Sequence, residues 1–320
     1  MIVIDAKAIW ALLRDAFYAW LDDKAPAMGA ALAYYTVFAL APLLIIVIAI
    51  AGLVFGREAA QGHILAQVSG LVGEEGGRAV QAMLESARQP GPGIVAGGIG
   101  LVLLIIASTG VFVQLQESLD TIWRVVPKSG RGIWGILRDR LLSFLMVIVA
   151  GFLLLVSLVL SAALAALGKF FSYLLPVPEV VLHGVNFLVS FAVITLLFAM
   201  IYKILPDAKI SWSDVWIGSA VTSLLFSLGK FMIGLYLGKS SVGSAYGAAG
   251  SLVIILVWVY YSAQILLYGA EFTAVYAIKY GSRIVPTENA VFINEAMSTD
   301  PKMAAEATGD ASDKDMAKHV

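Results

Sequence analysis

Lys239-Ser240-Ser241-Val242-Gly243-Ser244-Ala245-Tyr246-Gly247-Ala248-Ala249-Gly250-Ser251-Leu252-Val253-Ile254-Ile255-Leu256-Val257-Trp258 opens a stretch that runs to Glu271 with 31 uncharged residues between its two charges. A helix needs roughly 20 predominantly apolar residues to cross about 30 Å of hydrocarbon. The stretch is therefore long enough to span a bilayer. It ends by setting a carboxylate where lipid penalises one, which makes Glu271 a functional candidate.

Reading outward, long uncharged runs recur at 25–56, 89–116, 141–168 and 180–202, and 215–238 is broken only by Lys230. They predict an all-α polytopic membrane protein with six transmembrane helices at about 28–55, 93–116, 141–167, 183–203, 214–237 and 249–278. Helices are expected because backbone groups in lipid must be satisfied within their own segment. The 320 residues are 60% hydrophobic and 13% charged, against about 25% charged in soluble domains. A net charge of -1 gives no reason to expect a nucleic-acid partner, which calls for a basic surface. The chain has no cysteine, which excludes disulfides, a thiolate nucleophile and a Cys-based metal site. Charges scattered through residues 1–23 argue against a signal peptide.

Lys and Arg placement orients the spans. With the N-terminus inside, Lys7, Arg14, Lys24, Arg124, Lys128, Arg131, Arg138, Arg140, Lys203, Lys209, Lys279, Arg283, Lys302, Lys314 and Lys318 are cytoplasmic. Only Arg57, Arg78, Arg88, Lys169 and Lys239 fall outside. Trp10, Trp20, Trp123, Trp134, Trp212 and Trp216 collect at the same inner boundary, as an aromatic belt would. Both termini are thus expected in the cytoplasm.

The domain reading is a cytoplasmic amphipathic helix over 1–24, a membrane domain over 25–280 with an external insertion at 57–92, and a cytoplasmic tail over 281–320 that is mostly disordered. Ile9, Trp10, Leu13, Phe17, Trp20 and Leu21 repeat at helical spacing, which suits a helix lying in the interface or one packed under the bundle. In the insertion, Ile64, Leu65, Val68 and Leu71 form one apolar stripe and Val80, Met83, Leu84 and Ala87 another. Gly73, Gly76 and Gly77 lie between them, so two short helices forming an outer lid are expected.

Polar side chains within spans are the candidate sites. Glu271, Gln264 and Tyr260 share a face of the last helix, with Tyr268 alongside. They line a cavity, or they hold the bundle together by hydrogen bonds. Lys230 is separated from Glu271 by roughly 20 Å of depth at 1.5 Å per residue, so the two are not expected to pair. Tyr34, Tyr35 and the isolated Asn186 complete the cavity candidates. Pro42 frees a carbonyl and kinks the first span. Pro42 and the glycines Gly243, Gly247 and Gly250 are hinge or gate candidates. Gln114, Glu117, Asp120 and Arg140 are candidates for an inner mouth. The three histidines are scattered, and no Walker A sequence, HExxH or Gly-x-Ser-x-Gly elbow occurs. No enzyme, metal or cofactor is expected.

Several segments resemble the YihY/BrkB family of bacterial inner-membrane proteins, once labelled ribonuclease BN-like. They are Ala31-Leu32-Ala33-Tyr34-Tyr35-Thr36 with Pro42, Leu115-Gln116-Glu117-Ser118-Leu119-Asp120-Thr121-Ile122-Trp123, Leu205-Pro206-Asp207 through Trp212, and Tyr246-Gly247-Ala248-Ala249-Gly250 through Glu271. Their order and spacing match across about residues 25–280. Asp120 replaces the asparagine usual before the Ile-Trp pair. The resemblance implies six spans and an association with envelope lipid export. A transporter or flippase-like protein for a lipid-like or other small solute is expected, with Glu271 as the carrier if it is proton-coupled. The alternative is a non-transporting scaffold for envelope assembly. Ribonuclease activity lacks the metal cluster it would need. Membrane lipids are the expected surroundings, a lipid-like or small-molecule cargo the expected partner, and the oligomeric state is left open.

Overall fold

The computed structural model describes residues 5–88, 110–128, 179–239 and 250–299. The chain is mostly helical: α1 (Ala6–Asp22), α2 (Ala25–Phe55), α3 (Arg57–Arg88), α4 (110–122), α5 (Glu179–Ile204), α6 (Trp212–Lys239), α7 (Gly250–Lys279) and α8 (Ile293–Thr299). Four short strands join them: β1 (Val125–Pro127), β2 (Ala208–Lys209), β3 (Val285–Pro286) and β4 (Ala290–Phe292).

Among the described residues three helices are long and apolar enough to cross a membrane, over Phe187–Ile204, Trp212–Ile233 and Leu252–Lys279. Ala25–Leu40 is a shorter apolar stretch within α2. The expected third span, 141–167, lies outside the described residues, and the second, 93–116, is described only from 110. On α6, Leu224, Leu228, Phe231 and Met232 are exposed. Apolar side chains on an outer face suit a helix whose solvent is lipid.

Three buried threonine hydroxyls are satisfied within their own helices. Thr222 donates to the Gly218 carbonyl, Thr273 to Gly269 and Thr195 to Phe191, at 2.7 Å each. This back-bonding to the i-4 carbonyl lets a polar residue enter an apolar bundle. At the centre, Tyr202 is fully buried. Its hydroxyl donates to the Leu266 carbonyl at 2.7 Å and lies 3.2 Å from Thr222 Oγ1. A Cβ on Gly269 would overlap both Thr222 and the Tyr202 hydroxyl, so glycine is what lets α5, α6 and α7 approach here.

α3 is hydrogen-bonded as helix throughout, yet Leu65 and Ser69 line one cleft with Gly77 and Gln81. Eight residues of straight helix would hold Ser69 and Gly77 about 12 Å apart. The segment therefore doubles back between them. Val80 and Leu84 from the second arm pack with Ile64 and Leu65 from the first, against Ile48 of α2 and Ile255 of α7.

α1 packs on the bundle through Leu12 and Ala16, which meet Phe272, while Ile9, Trp10, Phe17, Tyr18 and Leu21 stay exposed. Tyr268 donates to the Leu13 carbonyl at 2.9 Å. Asp15 takes an ion pair from Lys279.

The expectation of a mostly disordered tail from 281 is corrected for its first part. β3 pairs antiparallel with β2, Ala208 opposite Pro286, and β4 pairs with β1, Val125 opposite Phe292. The chain after the last long helix thus returns to stitch the ends of α4 and α5. Strands this short carry no readable alternation, so composition alone decided the expectation. Residues 300–320 lie outside the described residues. Asp214, buried in the first turn of α6, fastens the same return by accepting from the Ser282 N–H at 2.9 Å and its Oγ at 2.8 Å. Asp214→Ala removes the oxygen that accepts both bonds and should cost about 1–3 kcal/mol, read as a lower melting temperature in detergent.

Candidate functional site

Asp23 and Lys24 form the corner between α1 and α2. The Asp23 N–H closes α1 on the Ala19 carbonyl. Lys24 turns the chain with φ 54°, and Pro26 follows in the first turn of α2, where its missing N–H leaves no bond unmade. This corner brings Asp23 to α7 beside Glu271, which is 2% exposed. The two carboxyl groups lie within hydrogen-bonding reach.

The cation comes from a third element. Trp123 follows the last residue of α4, its N–H bonding the Leu119 carbonyl, and Arg124 comes next with φ 57°. A non-glycine residue in the left-handed region costs of order 1–2 kcal/mol and needs outside support. That support comes from β1 and from the Ile293 N–H, which bonds the Arg124 carbonyl at 3.0 Å. So held, Arg124 Nη2 reaches Asp23 Oδ1 at 2.7 Å, with the Asp23 side chain 4% exposed and that of Arg124 57%.

One guanidinium thus faces two buried acids. Burial pushes the Asp23 carboxyl above its ordinary value, outweighing the Arg124 charge and the hydrogen bond with Glu271, which pull it down. Asp23 Oδ2 and Glu271 Oε1 are both buried without a hydrogen-bond partner among the described residues. Two facing carboxyl groups can bond only when one holds a proton, and like charges at this range disfavour double ionisation. The arrangement can therefore hold and release one proton at the end of an apolar bundle.

Gln264 lies two turns before Glu271 on α7. Its amide nitrogen and oxygen are buried and unpartnered among the described residues. Gly29 of α2 gives it room, since a Cβ there would overlap the amide nitrogen. Gln264 also lines a groove of about 700 Å³ between α1, α6 and α7.

The other expected residues are dispersed. Tyr34 and Tyr35 are exposed on α2, 59% and 41%, their rings edge to face. Tyr260 is exposed, and Lys230 is exposed on α6 rather than beside Glu271. Asp120 is buried and its Oδ1 accepts the Asp207 N–H at 2.7 Å, so it ties α4 to the turn after α5. Glu117 is exposed, Gln114 half-buried and Gly250 the first residue of α7. Pro42 lies within α2. Its side chain and that of Asn186 are outside the described residues, as are Arg140, Gly243 and Gly247. Asp23 and Arg124 escaped the sequence reading because each looks like an ordinary boundary charge. The signal available was an Asp-Lys pair directly before Ala-Pro at the mouth of a long apolar run.

A family described as "Virulence factor BrkB" matches residues 16–293. A protein named "UPF0761 membrane protein" from Verminephrobacter eiseniae is 30% identical over 270 residues, covering 82% of this chain and 60% of the relative. One of the same name from Vibrio atlanticus is 30% identical over 258 residues, covering 79% and 78%. The chain spans about three-fifths of the length of the first curated relatives it matches. No solved structure matches.

Proposed function

The chain belongs to the BrkB family of membrane proteins, and from that premise we propose that it is a proton-coupled transporter of an amphiphilic solute, not an enzyme. The observation that carries this reading is the buried Asp23–Glu271 pair with Arg124 at its edge. A purely structural ion pair needs one acid and one cation. A second buried acid adds desolvation cost without adding a bond, unless its proton is used.

With one proton on the pair, the two carboxyls bond and Arg124 balances the remaining charge. Loss of that proton leaves two negative groups between the α1–α2 corner and α7, with one cation to serve them. The repulsion acts on the corner that positions α1, and α1 forms one side of the apolar groove. Proton release would thus widen the groove and proton uptake close it. The Lys and Arg distribution supports cytoplasmic termini, with the acid pair near the cytoplasmic side of a bacterial inner membrane.

Glu271→Gln keeps the size and hydrogen-bonding capacity but cannot release a proton. It should leave the protein folded and abolish translocation of a fluorescently tagged phospholipid driven by an imposed pH gradient in proteoliposomes. Wild-type flux in that variant would end the carrier role.

A further inference from the structure

We propose that the groove between α1, α6 and α7 binds one acyl chain of an anionic lipid, with the lipid's charged head group at Arg14. The groove is about 700 Å³, within the roughly 300–1,000 Å³ of built ligand sites. Leu13 and Phe17 of α1, Leu228 and Met232 of α6, and Tyr261 and Ile265 of α7 form its walls. Leu228 and Met232 are 55% and 64% exposed. A chain lying there would pack along these large apolar side chains.

The head-group chemistry follows from charge. Arg14 is the one charged residue among those lining the groove. It bonds Asp15 Oδ1 through Nε at 3.0 Å and Nη2 at 2.9 Å, while Lys279 takes Asp15 Oδ2. One carboxylate serves two cations, and hydrogen bonds from Lys279 and then Arg14 hold it below its ordinary value. The cluster keeps an excess positive charge beside an apolar groove, which a phosphate head group complements. Gln264 is the second observation. Its side chain lines the same groove, and its amide is buried and unpartnered among the described residues.

Lipid packs against any membrane span. What distinguishes this groove is closure by α1 on one side and a single cation in its lining, which together predict selectivity and a fixed stoichiometry. Such a lipid would be the amphiphile of the transport reading, on which this assignment of its class rests. Binding is nonetheless measured apart from flux, so Glu271→Gln lacking flux but keeping bound lipid would separate the two.

The test is native mass spectrometry of the full chain in detergent, titrated with phosphatidylglycerol or phosphatidylcholine. One phosphatidylglycerol should be retained, about tenfold more tightly than phosphatidylcholine, a difference of about 1.4 kcal/mol. Arg14→Ala should bring the two lipids to parity. Met232→Trp fills the groove from an exposed position and should weaken both lipids without touching the ion pairs. Added inorganic phosphate should leave the bound lipid in place. Equal affinity for both lipids in the unmodified protein would overturn the proposal, as would selectivity that survives Arg14→Ala or binding unaffected by Met232→Trp. Displacement by inorganic phosphate would assign Arg14 to a free anion instead.

Discussion

Arg124→Ala should cost the protein about 2 kcal/mol of stability at neutral pH and much less in acid. Removing one member of a buried ion pair costs roughly 3–5 kcal/mol, because the partner is left as an uncompensated charge. Asp23 is buried to that degree, but the Arg124 side chain is 57% exposed. Water already screens part of its interaction, and the lower figure follows. What remains after the substitution is Asp23 facing Glu271, two acids without the guanidinium that served them.

The pH dependence has a definite sign. Asp23 has its folded value raised above the ordinary 3.8. At pH just above that ordinary value the native state binds more protons than the unfolded state. Stability therefore falls as pH rises from the ordinary value through the raised one, and it is fully present below that window. Arg124 works against this loss by favouring the ionised form. Without it the folded value climbs further and the window extends upward. Thermal melts in detergent at about pH 4 and about pH 8 should show the Arg124→Ala deficit mainly at the higher pH. Asp23→Asn in the same background should recover most of it. An equal deficit at both values would mean that Arg124 acts through packing and not through charge.

Gly269→Leu should be at least as damaging, by about 3 kcal/mol or more, with loss of the monodisperse protein on size exclusion. At this position α7 comes so close to α5 and α6 that a single Cβ would overlap Thr222 Oγ1 and the Tyr202 hydroxyl. Both partners are buried, and Tyr202 is held by its bond to the Leu266 carbonyl. Neither can swing aside without breaking a hydrogen bond within an apolar bundle. Gly269→Ala should cost less, and Thr222→Ala should return part of that loss, because the nearest obstructing atom is gone. The coupling in this double-mutant cycle measures the close approach directly. Additive effects would place the obstruction elsewhere.

The legible and the illegible parts of this chain divide on physical lines. Glu271 and Gln264 stood out because an uncharged run gives a polar residue nothing nearby to explain it. Asp23 and Arg124 did not stand out, because charges at the mouths of spans are common and cheap where water reaches them. Asp120, an inner-mouth candidate by sequence, also accepts the Asp207 N–H in the turn after α5, a contact that no local pattern announces. The return of residues 285–292 was invisible, since strands of two or three residues have no periodicity to detect.

Hydropathy by itself determined the class of this protein, its apolar helices and the one acid that a bilayer would penalise. Those are properties of solvation, which each segment carries wherever it packs. Only the tertiary structure decided that the acid has a second acid for a neighbour and a guanidinium at its edge. That outcome depends on a left-handed corner at Lys24, a left-handed cap at Arg124 braced by the returning strand, and helices close enough at Gly269 to draw α7 into the bundle. Contacts between segments far apart in the chain arise from packing, and no local pattern of residues encodes them.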